Sequence, residues 1–134
     1  MTTPDRQPLR ARQPGWDSTA ASARVLERLD AELSATDDEG RLQIYPRVAV
    51  AVVVGNEDGA HAISASLYQA LNDVGFTIPA QAVTYWNGEA MHTTDYLDLP
   101  QTPEKTAAAT TLVATNAVHL ARLLKLHPSP PTGG

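Results

Sequence analysis

Apolar positions along this chain switch between two periods, and the switches delimit its elements. In AASARVLERLDAELSAT, residues 20–36, Val25, Leu26, Leu29 and Leu33 recur at helical spacing, with Arg24, Glu27, Arg28 and Glu32 on the other faces. Asp17, Ser18 and Thr19 stand ahead of them with N-cap chemistry, and TDDEGR ends the helix, with Gly40 free to turn. RVAVAVVVG, residues 47–55, is apolar and β-branched on both alternating faces. That pattern predicts a strand covered on both sides, as in a parallel sheet between helices.

After the loop GNEDG, residues 60–75 read AHAISASLYQALNDVG. Ile63, Leu67, Ala70, Leu71 and Val74 form one helical stripe, and Gly75 is placed to close it as a C-cap. FTIPAQAVTYW, residues 76–86, is a second extended segment, whose first part Pro79 confines to an edge or approach position. The sixteen residues NGEAMHTTDYLDLPQT form a long connection, either functional or loosely held. Pro103 then opens a helix in which Ala114, Ala117, Val118, Ala121 and Leu124 make a close-packing stripe. The order α-β-α-β-α is that of a doubly wound α/β sheet, but two strands would leave unpaired edges. The pattern therefore predicts the second half of a larger fold.

The ends read differently. Residues 1–16 carry three prolines and three arginines without periodicity and predict a disordered arm, apart from Trp16, which is large enough to need burial. An ordered strand there, paired with residues 47–54, would instead replace a missing third strand. Residues 127–134, HPSPPTGG, read as a Pro/Gly tail, which leaves 17–126 as the domain. Composition tightens this picture. Of the 134 residues, 21 are alanine and 28 are Val, Ile, Leu or Phe, so the core must pack closely on small side chains.

A net charge of −5 without a Lys/Arg cluster argues against nucleic acid or an anionic membrane as partner. With no cysteine there is no disulfide framework, thiolate metal site or thiol nucleophile. The longest apolar run, Val48 to Val54, is far short of a membrane span, and no apolar run follows the N-terminal arginines. The default expectation is a cytoplasmic protein.

The runs RVLERLDAELSATDDEGR, VVVGNEDGAHAISASLYQALNDVGFTIP and TYWNGEAM, with the final PEKTAAATTLVATNAVHLARLL helix, carry a more specific signal. Together, over about residues 20–125, they resemble the carboxyl half of NADPH-dependent FMN reductase-like proteins of the flavodoxin-like superfamily. The resemblance implies a five-stranded parallel sheet of order 2-1-3-4-5 that binds FMN at the carboxyl ends of its strands. It makes Val48–Val54 the fourth strand and roughly Ala82–Trp86 the fifth. The family grips the FMN phosphate with a Ser/Thr-rich loop after strand one, and no equivalent is found here. Its third strand ends in a Pro-Thr-aromatic-x-Gly turn against the flavin ring. The matching place here reads QPGWDSTAA, which keeps Trp16 but not the motif. The expected fold is thus α/β, a partial flavodoxin-like doubly wound parallel sheet with strands equivalent to four and five and Trp16 as a remnant of three.

Gly55-Asn56-Glu57-Asp58-Gly59 joins a buried strand to a helix start, where open α/β sheets bind ligands. Glu57 and Asp58 would repel a phosphate at close range, whereas backbone amides of this loop suit the polar edge of an isoalloxazine ring, the role the resemblance implies. The alternative is a plain helix cap, with Asn56 or Asp58 capping and the acids stabilising the first turn. His61 would hydrogen-bond the flavin or its nicotinamide partner, or simply face solvent. Trp86 would border a planar cofactor together with Tyr85, or plug the sheet end under the long loop.

Asp58, His61, His92 and Asp95 lack close ligand spacing such as His-x-x-x-His, which argues against a metal site. His119 reads as packing or surface and His127 lies in the tail. Ser64 and Ser66 have no nearby base, and no Gly-x-Ser-x-Gly turn exists, which argues against a hydrolase.

By resemblance, the chain is an NAD(P)H-dependent FMN oxidoreductase in which hydride passes from NAD(P)H to FMN. The protein would supply ring contacts rather than acid–base groups. Its missing half would come from a homo-oligomer or a partner chain completing the sheet. The alternative is a truncated, non-catalytic relative that serves as a structural or interaction subunit.

Overall fold

Five β-branched or small residues, Ala51–Gly55, form strand β1, and Val83–Asn87 form β2 parallel to it, with Ala51 opposite Val83 and Gly55 opposite Asn87. These strands come from a computed structural model that describes residues 18–55 and 59–132. Around them lie α1 (Ser18–Asp30), α2 (Ala60–Val74) and α3 (Glu104–Leu126), with a single 3₁₀ turn at Tyr96–Asp98 between β2 and α3. Among the described residues the sheet has two strands. The architecture is α/β, in the order the hydrophobic pattern predicts.

The first extended segment is split. Val48 bridges Thr77, and the ladder resumes only at Ala51 and Val83. Over that interval the first segment advances three residues and the second six, so Ile78–Gln81 loops out around Pro79, with Gln81 at a φ of 53°. Proline cannot donate to a ladder, and its position explains why β2 begins at Val83 instead of Phe76.

α2 lies on the face of the sheet that carries Ala51 and Val53, which are buried along with Ala60, Ser64 and Val74 of the helix. The helix ends where its sequence says it should: Gly75 adopts the left-handed conformation and its N–H reaches the carbonyl of Asn72 at 2.9 Å. α3 covers the opposite face, but only over β2. There Thr84 is buried and its hydroxyl lies 2.9 Å from that of Thr110. Asn116 donates to the Ala80 carbonyl at 2.8 Å, fixing the middle of α3 to the loop that precedes β2.

Three expectations need correction. β1 is not covered on both faces: Val52 and Val54 are 68% and 57% exposed, because α3 sits over β2 and nothing described lies over β1 on that side. The stripe of α3 is rotated from the one expected. Val113 is its buried residue, while Ala114, Val118 and Ala121 are exposed, because Thr106 and Thr110 bond to β2 and fix the helix rotation. α1 stops at Asp30, short of Thr36, and leaves through tight turns such as Leu33 N–H to Asp30 carbonyl (3.2 Å), so that Thr36 can bridge Leu42. The expected arm at residues 1–16, including Trp16, lies outside the described residues.

Candidate functional site

Both strands run in the same direction, so β1 and β2 deliver their carboxyl ends to one edge of the molecule. The Gly88 N–H donates to the Gly55 carbonyl at 2.8 Å, tying the two ends together just beyond the ladder. Gly59 precedes α2, half-buried, and its carbonyl accepts the Ile63 N–H at 2.9 Å to start the helix. Of the loop residues proposed for the site, Asn56, Glu57 and Asp58 lie outside the described residues, and Gly55 and Gly59 flank them.

Residues of a strand alternate between faces, so Tyr85 and Trp86 point to opposite sides. Tyr85 is on the α2 side, where the exposed His61 ring meets it edge-on, with centroids 5.3 Å apart. Trp86 is on the α3 side, half-buried, where Tyr96 of the 3₁₀ turn meets it edge-on at 5.5 Å. The two aromatics therefore do not form one wall. Trp86 is packed by the long connection, while His61 and Tyr85 form an exposed ring pair at the start of α2.

Asn87 ends β2 on the same face as Tyr85, with its side-chain Oδ1 buried and without a hydrogen-bond partner among the described residues. Buried acceptors are seldom left unpaired, which makes this oxygen a candidate contact for a ligand's donor at the strand ends. In the sequence Asn87 stands within YWNG as one of the residues that end the strand, and Tyr96 carries no periodic signal. Only its place in a long loop after a strand could have pointed to that tyrosine.

In the same loop His92 Nδ1 lies 3.2 Å from Glu89 Oε2, an exposed pair 63% and 80% open to solvent. Among the described residues, no cluster of three His, Asp or Glu side chains could hold a metal ion. Nor is any helix among them long and apolar enough to cross a membrane. The donor set at the strand ends consists of backbone groups, one carboxamide and aromatic edges. It suits the uncharged polar rim of a planar heterocycle, and among the described residues it offers no cation for a phosphate.

No protein-family model matches the chain. It is 30% identical over 111 residues to the 8-demethyl-8-aminoriboflavin-5'-phosphate synthase of Streptomyces davaonensis, covering 82% of this chain and 43% of that enzyme. It is 35% identical over 117 residues to a polypeptide of Mycobacterium bovis named the divalent metal cation transporter MntH, covering 84% of this chain and 17% of that one. Among solved structures it superposes with a TM-score of 0.73 and 29% identity on RosB with bound 8-demethyl-8-formylriboflavin-5'-phosphate, covering 82% of this chain and 44% of RosB. The chain thus spans less than half the length of the relatives it matches. Its fold is a partial flavodoxin-like doubly wound parallel sheet.

Proposed function

We propose that the joined carboxyl ends of β1 and β2 are the ring-side half of a flavin-phosphate site. The observation that carries this reading is the superposition on RosB, whose structure holds a riboflavin phosphate derivative, at a TM-score of 0.73 and 29% identity. Gly55, Gly59, Asn87 and Gly88 would meet the polar rim of the isoalloxazine ring, with His61 and Tyr85 beside it. A bound FMN would supply hydride-accepting chemistry, with NAD(P)H as donor. The chain's own residues orient the ring and exclude water from one side, and no acid–base group is assigned.

The test follows from the absence of any phosphate-binding cation in this donor set. Riboflavin and FMN at millimolar concentration should shift the backbone NMR signals of Gly55, Gly59, His61, Asn87 and Gly88, and the two affinities should agree within about threefold, since about 0.6 kcal/mol separates them at that ratio. Unmoved signals with both flavins would sink the reading.

A second reading has its own observation. In the Mycobacterium bovis transporter a segment similar to this chain is part of a much longer polypeptide. That arrangement favours a non-catalytic interaction module, and a flavin titration without effect would select it.

A further inference from the structure

Among the described residues, one buried side-chain polar atom has no hydrogen-bond partner, the Oδ1 of Asn87. The strand that carries it is held at that point. Asn87 lies opposite Gly55 in the ladder, and the next residue, Gly88, donates to the Gly55 carbonyl at 2.8 Å. As a whole residue Asn87 is half-buried, and the torsion that turns its carboxamide is soft. Rotation about that bond can bring the oxygen to a ligand at the strand ends while the strand stays in place. An unpaired buried acceptor is unfavourable in the free protein, so a donor brought to it contributes more than an ordinary surface hydrogen bond.

The chemistry of the ligand follows from the character of the group. A carboxamide oxygen accepts and therefore calls for an N–H or O–H. On the rim of the oxidised isoalloxazine ring N1, O2, O4 and N5 are all acceptors, and N3–H is the one donor. Reduction adds hydrogens at N1 and N5 and leaves N3–H as it was. An acceptor placed at N5 would face a lone pair in the oxidised ring, whereas at N3 it is satisfied in both oxidation states. Tyr85 stands on the same face two residues earlier, with the His61 ring edge-on to it at 5.3 Å. That aromatic pair borders the position a pyrimidine ring bonded to Asn87 would take.

We propose that Asn87 reads the imide edge of the flavin, its Oδ1 accepting a hydrogen bond from N3–H. The inference rests on the flavin reading of this site and adds the orientation of the ring. C8 lies at the far end of the tricyclic system from N3, so the substituent there points away from the joined strand ends. The site selects for a free imide and is indifferent to the group at C8. That is the position of the amine in 8-demethyl-8-aminoriboflavin-5'-phosphate, for which the Streptomyces davaonensis synthase is named.

FMN, 3-methyl-FMN and 8-demethyl-8-aminoriboflavin-5'-phosphate are titrated into the full chain, with binding read from the backbone NMR signals of Gly55 and Gly88. Methylation at N3 should weaken binding about tenfold, as loss of a donor to a buried acceptor does, and the 8-amino compound should match FMN within about threefold. Asn87→Leu should lose about the same tenfold toward FMN and nothing further toward 3-methyl-FMN. Because the oxygen is unpaired in the free chain, that variant should unfold at the parent's temperature or above it, which an asparagine needed only for the fold would not allow. Equal affinity of the parent chain for FMN and 3-methyl-FMN overturns the proposal, whether or not the variant folds, and leaves the flavin reading standing. Signals that respond to none of the three compounds remove both.

Discussion

At Gly75 the backbone takes a φ of +111°, and a Cβ there would lie 2.6 Å from Ile44 Cγ2 and 3.1 Å from the Tyr45 ring. Two independent penalties therefore meet at one residue. A side chain in the left-handed region costs about 1 kcal/mol, and forcing a methyl into a packed neighbour costs about 1–3 kcal/mol more. Ile44 is itself core, only 3% exposed, so it has little room to retreat. Gly75→Ala should lower stability by roughly 2–4 kcal/mol in thermal or urea unfolding, on the sum of those two effects. A loss below about 0.5 kcal/mol, the usual size of a surface change, would mean that the α2 end is not held as described.

This position shows how far local sequence reaches. The glycine after an amphipathic stripe announced the cap without further information. Its second constraint was invisible, because Ile44 and Tyr45 sit in RLQIYP, a stretch with neither helical nor strand period. The same limit hid the Asn87 oxygen: an asparagine before a glycine reads as a turn residue, and only the fold reveals that its acceptor is buried. The loop most specific to the family resemblance, residues 56–58, and Trp16 remain expectations.

At the level of elements, the turn between α1 and β1 is organised by Asp37. Its carboxylate accepts from the backbone N–H groups of Glu39 and Arg41, each at 3.0 Å, and from the Arg41 guanidinium at 2.8 Å. The Pro-rich tail closes over this turn, where the Thr132 N–H donates to the Gly40 carbonyl at 3.1 Å. The Arg41 backbone bond, aided by its guanidinium and the Glu39 N–H, holds the Asp37 carboxyl below its ordinary value of 3.8, against an opposing desolvation second in size only to the Arg41 backbone bond.

A depressed carboxyl stabilises the folded form above its ordinary pKa, and that contribution is lost as the pH falls through the lower folded value. The amide signals of Glu39 and Arg41 should therefore hold steady from neutral pH to about 4 and move only below it. Asp37→Asn should remove that acid transition; if it persists in the variant, Asp37 does not organise the turn.

Elements were legible where one signal dominated and misplaced where signals were balanced. α2 and β2 have clear stripes or clear punctuation. α3 carries alanine or threonine on nearly every face of its first four turns, so periodicity could not fix its rotation. That was set by Thr84 meeting Thr106 and Thr110. The end of α1 was overrun for a related reason. Ala31, Glu32 and Leu33 are good helix formers, and the antiparallel Thr36–Leu42 bridge overrides a preference worth only a few tenths of a kcal/mol per residue.

For the whole molecule, the alternation along β1 is the deciding quantity. Its sequence carries apolar side chains on both faces, as a central strand of a doubly wound sheet would, yet the described residues cover one face only. Val53 is 9% exposed and packs toward α2, whereas its neighbours Val52 and Val54 stand in the open. Valine to threonine keeps the shape and β-propensity of the side chain and exchanges a methyl for a hydroxyl, so it reads burial and little else. At Val53 the hydroxyl would be buried without an assigned partner, at a cost of about 1–3 kcal/mol. At Val52 and Val54 it would remain hydrated, within about 0.5 kcal/mol of the parent.

Unfolding of the three single variants in the isolated chain should therefore split two against one. Should Val52→Thr prove as damaging as Val53→Thr, the face over β1 is already covered in solution, and the sheet is closed by the chain itself or its copies. The split, if found, means that the chain tolerates a strand built for burial on both sides while burying it on one.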